Sequence, residues 1–192
     1  MKSLVESFDI LKGLPLVKTL IVNSVGDLEK VNFPYYMKIN SGGHKLKMGG
    51  VVLCQDLKSS KKNYEIFKKK FKESIIVQEE VRGVELIIGI KEDLVFGKMI
   101  LVGLGGSFVE EKGDVSFRSL PVTQKDIHSM LSDLSLFESL EKKGFSMKKF
   151  VDLIKRVADL SEEKNIIELD LNPVIFNKLG VFVVDSRIEV SN

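Results

Sequence analysis

The sequence predicts a mixed α/β (α+β) chain in two lobes, and three observations carry that prediction. Short apolar or alternating runs bounded by Gly, Pro and polar clusters recur at residues 16–22, 35–39, 51–53, 99–104 and 166–176, which is the pattern of strands. Between them, residues 58–72, 123–140 and 146–160 change to helical spacing. A polar hinge at 78–83 separates two β-rich runs and divides the chain into an N-terminal lobe, 1–80, and a C-terminal lobe, 81–192.

The elements follow in order. Residues 2–12 read as a short helix with Leu4, Val5, Phe8 and Leu11 inward, stopped by Gly13 and Pro15. A strand at 16–22, a helical turn at 26–30 and a strand at 35–39 come next. The lysine-rich run 58–72 reads as an amphipathic helix, with Tyr64, Ile66, Phe67 and Phe71 apolar and the lysines solvated. After the hinge, alternation sets Glu85 opposite Val84 and Leu86. Thr123 and Asp126 frame a helix start as a capping box.

Composition narrows the function. With 44% hydrophobic residues the 192-residue chain can bury a substantial core. The net charge of +2 does not indicate a nucleic-acid binder, and no stretch approaches the length of a membrane span. The single cysteine, Cys54, lies in an apolar run and excludes a disulfide within the chain, which fits a soluble cytoplasmic protein.

Two stretches carry chemistry. In Glu168-Leu-Asp-Leu-Asn-Pro, alternation puts Glu168, Asp170 and Asn172 on one face, and Pro173 ends the ladder or marks an edge. A turn through Gly180 returns the chain, so Asp185 can come back beside Asp170 and Asn172. Two carboxylates about 4 Å apart repel by about 4 kcal/mol at an effective dielectric near 20, so they hold a proton, a basic group or a cation. Magnesium, with one or two carboxylates plus phosphate oxygens, fits such a set. The residues alone leave open the other reading, the wet face of an edge strand. The second stretch is the loop at 40–50, with four glycines in nine positions. Its amides, with Lys45 and Lys47, suit an anion; a hairpin tip that binds nothing has the same composition. His44 inside it is a nucleophile or an acid–base group on one reading and an ordinary surface histidine on the other.

With these pieces in this order, the chain resembles the ATP-grasp subunit of the ADP-forming acyl-CoA synthetases, the β-type subunit of acetyl-CoA synthetase (ADP-forming). The segments that carry the resemblance are Val77-Gln-Glu, Gly83-Val-Glu-Leu-Ile-Ile-Gly, Phe96-Gly97, Gly103-Leu-Gly-Gly, Phe108-Val-Glu, Asp114-Val-Ser-Phe-Arg and Glu168-Leu-Asp-Leu-Asn-Pro. The resemblance implies an ATP-grasp fold, two lobes clasping a nucleotide, completed by a CoA-binding α-type partner subunit. Acyl-CoA, ADP and phosphate would become acid, CoA and ATP through an acyl phosphate and phosphohistidine. By the family pattern Lys38 and Lys45 would meet nucleotide phosphates; Gln78, Glu79 and Val81 would line the adenine hinge; Glu85 would meet ribose or phosphates. Asp170, Asn172 and Asp185 would hold Mg2+, Arg118 would assist phosphate, and His44 would relay the phosphoryl group to ADP. Another ATP-grasp carboxylate ligase, which would not need His44, and a nucleotide-binding regulatory module without turnover are the alternatives. Departures from the pattern are a shorter leading helix, a contraction between Ile39 and His44, Lys47-Met48 in the loop, and Lys98 in place of proline.

Overall fold

The computed structural model describes residues 2–43, 45–105, 113–135 and 137–191. The chain forms two compact units, one of Met1–Glu6 with Val17–Val81 and one of Ser7–Leu16 with Arg82–Asn192. The first helix, α1 (Leu4–Ile10), therefore contributes to both. Residues 7–16, read from sequence as part of the N-terminal lobe, go with the second unit. There Leu16 bridges to Val183, and the Val183 amide donates to the Pro15 carbonyl at 2.9 Å.

The first unit is an antiparallel sheet backed by a helix. Strands β1 (Thr19–Val22), β2 (Tyr35–Ile39), β3 (Val51–Cys54) and β4 (Ile75–Glu79) lie in the order β1-β4-β2-β3. Alternation along β2 turns Tyr35, Met37 and Ile39 to one side, where they form a core with Cys54, Ile75, Val77 and, from α2 (Leu57–Lys70), Tyr64 and Phe67. Asp56 caps α2 by accepting from the Ser59 amide at 2.7 Å. The α2 stripe is narrower than the sequence suggests: Ile66 is 45% exposed, because the inward positions are Ser60, Tyr64 and Phe67.

The second unit carries a six-stranded antiparallel sheet. Along β10-β8-β5-β6-β7 run β5 (Val84–Asp93), β6 (Gly97–Leu104), β7 (Val115–Ser119), β8 (Ile166–Asn177) and β10 (Arg187–Val190), and β9 (Gly180–Val183) also pairs with β8. Among the described residues, helices α3 (Gln124–Ser132), α4 (Phe137–Lys142) and α5 (Met147–Glu163) belong to the same unit. Ile88, Ile90, Ile100, Val102, Leu169 and Leu171 are buried on one side of the sheet, as are the apolar positions of α3 and α5. The helical stretch expected over 123–140 is broken after Ser132, where the Asp133 amide turns back to the Ser129 and Met130 carbonyls.

Pro173 does not end its strand. β8 runs through it, because the ladder takes up an irregularity there: Leu86 pairs with Val174 but Ile88 pairs with Leu171, so Asn172 and Pro173 together oppose Ile87. A proline fits this bulge, where its missing N–H leaves no ladder bond unmade, and its carbonyl still accepts from the Val184 amide at 3.2 Å.

Candidate functional site

In the first unit, the face of the sheet turned away from the α2 core gathers Thr19, Gln78 and Tyr36 in one row across three strands. Ile21, Ile76 and Lys38 form the next row. Lys38 and Gln78, both singled out from the sequence, thus lie on one surface, and both are buried. The Lys38 ammonium stands 5.9 Å from the centroid of the Tyr36 ring, within cation–π range. The Gln78 Nε2 donates to the Thr19 hydroxyl at 2.8 Å. Glu79, one residue on, points to the other side, where it lines a shallow depression with Lys18 and Lys30. Val81 is half-buried.

The glycine-rich loop is closed by its own backbone. Ile39 N donates to Gly50 O at 2.9 Å, and Gly50 N donates to Lys45 O at 2.8 Å. A Cβ on Gly50 would come within 2.7 Å of the Ile39 side chain, so the closure requires glycine there. Lys45 is buried, and its ammonium donates to the Ser41 carbonyl at 3.1 Å, so this side chain braces the loop, while Leu46, Lys47 and Met48 are exposed. His44 lies outside the described residues, as does the Phe108-Val-Glu segment.

In the second unit the outward face of the sheet carries the metal candidates. Strands β9 and β10 continue one register along β8: Val174 pairs with Val183 and Asp170 pairs with Arg187. That register sets Asp185 opposite Asn172. Val183 and Ser186 are buried whereas Val184 and Asp185 are half-buried, so the irregularity at Asn172-Pro173 recurs in the returning segment and turns Asp185 outward with Asn172. Asp170 is half-buried and Asn172 exposed. Among the described residues no three His, Cys, Asp or Glu side chains form a cluster that could hold a metal ion. What is present, one carboxylate facing one amide with a second carboxylate two residues away, fits a hard divalent ion that takes its remaining oxygens from phosphate and water.

Glu85 is exposed, and its carbonyl accepts from the Gly105 amide at 2.7 Å. A Cβ on Gly105 would lie 2.9 Å from the Glu85 carbonyl carbon, so glycine at 105 allows this close approach. Arg118 is placed differently from the metal candidates. It pairs with Ile100 in the ladder, on the helix-covered side, and its guanidinium donates to Ser129 Oγ at 2.9 Å and to Asp133 Oδ2 at 3.0 Å. A hydrogen bond from Ser116, then the one from Arg118, hold the Asp133 carboxyl below the usual aspartate range. The structure therefore assigns Arg118 a strut between β7 and α3 and does not bring it to the Asp170 face.

Two residues, one beside the candidates of each unit, were not singled out from the sequence. Thr19 reads as an ordinary strand residue, and its contact with Gln78 spans 59 positions. Arg187 faces Asp170 across the ladder, and period-two counting from Asp185 would have found it.

Known proteins share this fold. Residues 3–190 match the ATP-grasp domain family. The chain is 33% identical over 201 residues to acetate–CoA ligase (ADP-forming) II of Archaeoglobus fulgidus, an alignment covering 98% of this chain and 29% of that protein. The chain thus spans less than a third of the length of that relative. It is 30% identical over 213 residues to the β subunit of acetate–CoA ligase (ADP-forming) II of Pyrococcus furiosus, covering 95% of this chain and 89% of that subunit. A solved structure of dinucleotide-forming acetyl-coenzyme A synthetase 1 of Ca. Korarchaeum cryptofilum superposes with a TM-score of 0.81 at 34% identity, covering 97% of this chain and 90% of that one. That protein was solved with coenzyme A and Mg-AMPPCP, its phosphohistidine segment pointing towards the nucleotide binding site. On the family match along nearly its whole length and its coverage of these relatives, the chain belongs to the ATP-grasp family.

Proposed function

We propose that this chain is the nucleotide-binding subunit of an ADP-forming acyl-CoA synthetase, which with a CoA-binding partner subunit converts acyl-CoA, ADP and phosphate into acid, CoA and ATP. The observation that carries the reading is the hairpin register, Val174 with Val183 and Asp170 with Arg187, which carried on between them sets Asp185 across from Asn172, in a chain of this family. A metal ion bound there would offset the charge of the nucleotide's phosphate oxygens. Asp170 adds a second carboxylate through a bridging water, Lys38 takes phosphate charge, and Gln78 with the backbone at Glu79 and Val81 receives the base; Glu85 meets the ribose or the phosphates.

His44 is the relay in this reading. Its neutral imidazole accepts a phosphoryl group from a phosphohistidine of the partner, forming one N–P bond as the other breaks, and gives it up to a β-phosphate oxygen of ADP. The flanking glycines permit the backbone freedom such a carrier needs. A β-subunit relative supports the need for a partner, because the chain accounts for 89% of that subunit and only 29% of a longer relative. The experiment is reconstitution. Purified chain plus the CoA-binding subunit, given acetyl-CoA, ADP, phosphate and magnesium, should form ATP, and the chain alone should form none. ATP formation by the chain alone, or none from the complete mixture with any acyl-CoA offered, would contradict the reading.

A further inference from the structure

The turn joining β5 to β6 projects from the end of the second unit's sheet. Asp93 pairs with Gly97 at the last rung of that ladder, and the three residues between them are all apolar and all in solvent: Leu94 is fully exposed, Val95 82% and Phe96 68%. Turn tips are ordinarily polar, and an exposed run of three large apolar side chains calls for a function. The tip is also held in shape. The Val95 amide donates to Asp93 Oδ1 at 2.8 Å, and the Phe96 amide donates to the same oxygen at 2.9 Å. Gly97 has φ of 70°, the left-handed conformation that glycine adopts without strain. The turn therefore explains Asp93 and Gly97, whereas Leu94, Val95 and Phe96 add nothing to the core. Asp93 lies six residues along β5 from Ile87, the residue opposed by Asn172 and Pro173, which is about 20 Å at the usual strand rise. The tip is accordingly well removed from the metal candidates.

We propose that this tip is a docking knob for the CoA-binding partner subunit, with Leu94 and Phe96 as the anchors that enter an apolar socket of that chain. The inference rests on the two-subunit reading above and adds where the chains grip each other. Shape and area select this occupant over a second copy of the chain. A two-fold contact pairs a patch with itself, and a convex tip would meet its own copy only tip to tip. A stable interface takes about 800 Å² from each partner, more than three side chains present. Contact with the CoA-binding subunit is larger by necessity, because phosphoryl transfer at His44 brings that chain against this one elsewhere as well. A rigid aromatic and aliphatic anchor within such an interface is where binding energy concentrates. Gripping here, about 20 Å from the metal candidates, the partner holds the chain without covering the outward face beside Asn172.

The test is a calorimetric titration of the full chain with the purified CoA-binding subunit, comparing wild type, Phe96→Ser and Leu94→Ser/Phe96→Ser, with Mg-ADP binding by each chain alone measured alongside. Phe96→Ser should weaken assembly by about tenfold or more, the loss expected when an interface anchor is removed, and the double variant should weaken it further. Mg-ADP affinity should stay at the wild-type value in both. Wild-type affinity for the partner in the double variant overturns this inference alone, and a parallel loss of Mg-ADP affinity overturns it by marking a general effect on the fold. A wild-type chain that dimerises by itself, with Phe96→Ser dissolving the dimer and keeping the partner, overturns it in favour of a second copy. No binding of the partner by wild type overturns the two-subunit reading and the inference together. If the variants do not fold, limited chymotrypsin digestion of wild type decides: cleavage after Phe96 that the partner suppresses supports the inference, and cleavage unchanged by the bound partner overturns it.

Discussion

Two buried polar atoms of this chain have no hydrogen-bond partner among the described residues, Gln78 Oε1 and Ser186 Oγ, and their settings give them opposite meanings. Gln78 lies on the face that carries Lys38, away from the packed core, and its amide is held in one orientation by Thr19. Ser186 is 1% exposed and points to the inner side of its sheet, where the register sets it opposite the buried Leu171. No donor or acceptor among the described residues meets its hydroxyl, so burying it adds cost without a compensating hydrogen bond. Replacing it removes the unpaired group at almost no change in volume. Ser186→Ala should therefore raise the free energy of unfolding by about 1 kcal/mol, read from the midpoint of a urea transition. A lower midpoint would show that the hydroxyl has a role in the folded chain.

At the scale of elements, the bulge at Asn172-Pro173 decides what the β8 hairpin can do. In an unbroken ladder, residues three apart face opposite sides. Here Leu171 and Val174 are both buried, so two residues between them are turned outward together, as are Val184 and Asp185 on the return. Asp185→Asn keeps the size and removes the charge. It should weaken nucleotide binding in the presence of magnesium by about tenfold or more while leaving metal-free binding unchanged, the usual loss when one carboxylate of a divalent site is neutralised. A magnesium titration identical to wild type would remove Asp185 from the metal set.

The start of α3 gives a test of local stability. Thr123 Oγ1 accepts from the Asp126 amide at 3.2 Å, and the Asp126 carboxylate accepts from the Thr123 amide at 2.8 Å. Thr123→Ala should cost about 1 kcal/mol. The hydrogen bond from the Thr123 hydroxyl, then the one from its amide, hold the Asp126 carboxyl below the ordinary aspartate range. Its folded value being depressed, the stabilisation is present above the unfolded value of about 3.9 and is lost as the pH falls through the folded one. The stability difference between wild type and Asp126→Asn should accordingly shrink below about pH 3.9; a difference constant down to pH 2 would exclude the linkage.

Much of this was legible in the chain, for identifiable reasons. Alternation over Ile167–Asn172 and the polar turn before Gly180 specify a hairpin, because strand period and turn chemistry are local. The capping box at Thr123 is legible on the same ground. What was not legible depends on partners distant in sequence. Strand β8 continues past Pro173 because Val184 and Ile87 make room for a bulge. Thr19 matters only because β4 pairs with β1, and Arg118 turns to α3 because Ser129 and Asp133 offer acceptors there. Lys45 bracing its own loop at Ser41 is equally invisible in a string of glycines and lysines.

For the whole molecule, family membership and function stand at different distances from the observations. The ATP-grasp family is established by a match over residues 3–190. Among the described residues no helix is long and apolar enough to cross a membrane. The chain supplies candidate groups for base, phosphate and metal, and the remaining subsites are those for the acyl group and CoA. On the proposed reading those lie on the partner, and the two chains are joined chemically by a phosphoryl group that passes through His44. The most direct measurement is therefore phosphoryl labelling. The chain and its CoA-binding partner are incubated with acetyl-CoA and radiolabelled phosphate, and label is followed onto each chain and then into ATP on adding ADP. The account predicts label on the wild-type chain that is chased into ATP, and neither label nor ATP with His44→Ala although the partner is still phosphorylated. ATP formed at an undiminished rate by His44→Ala would contradict it.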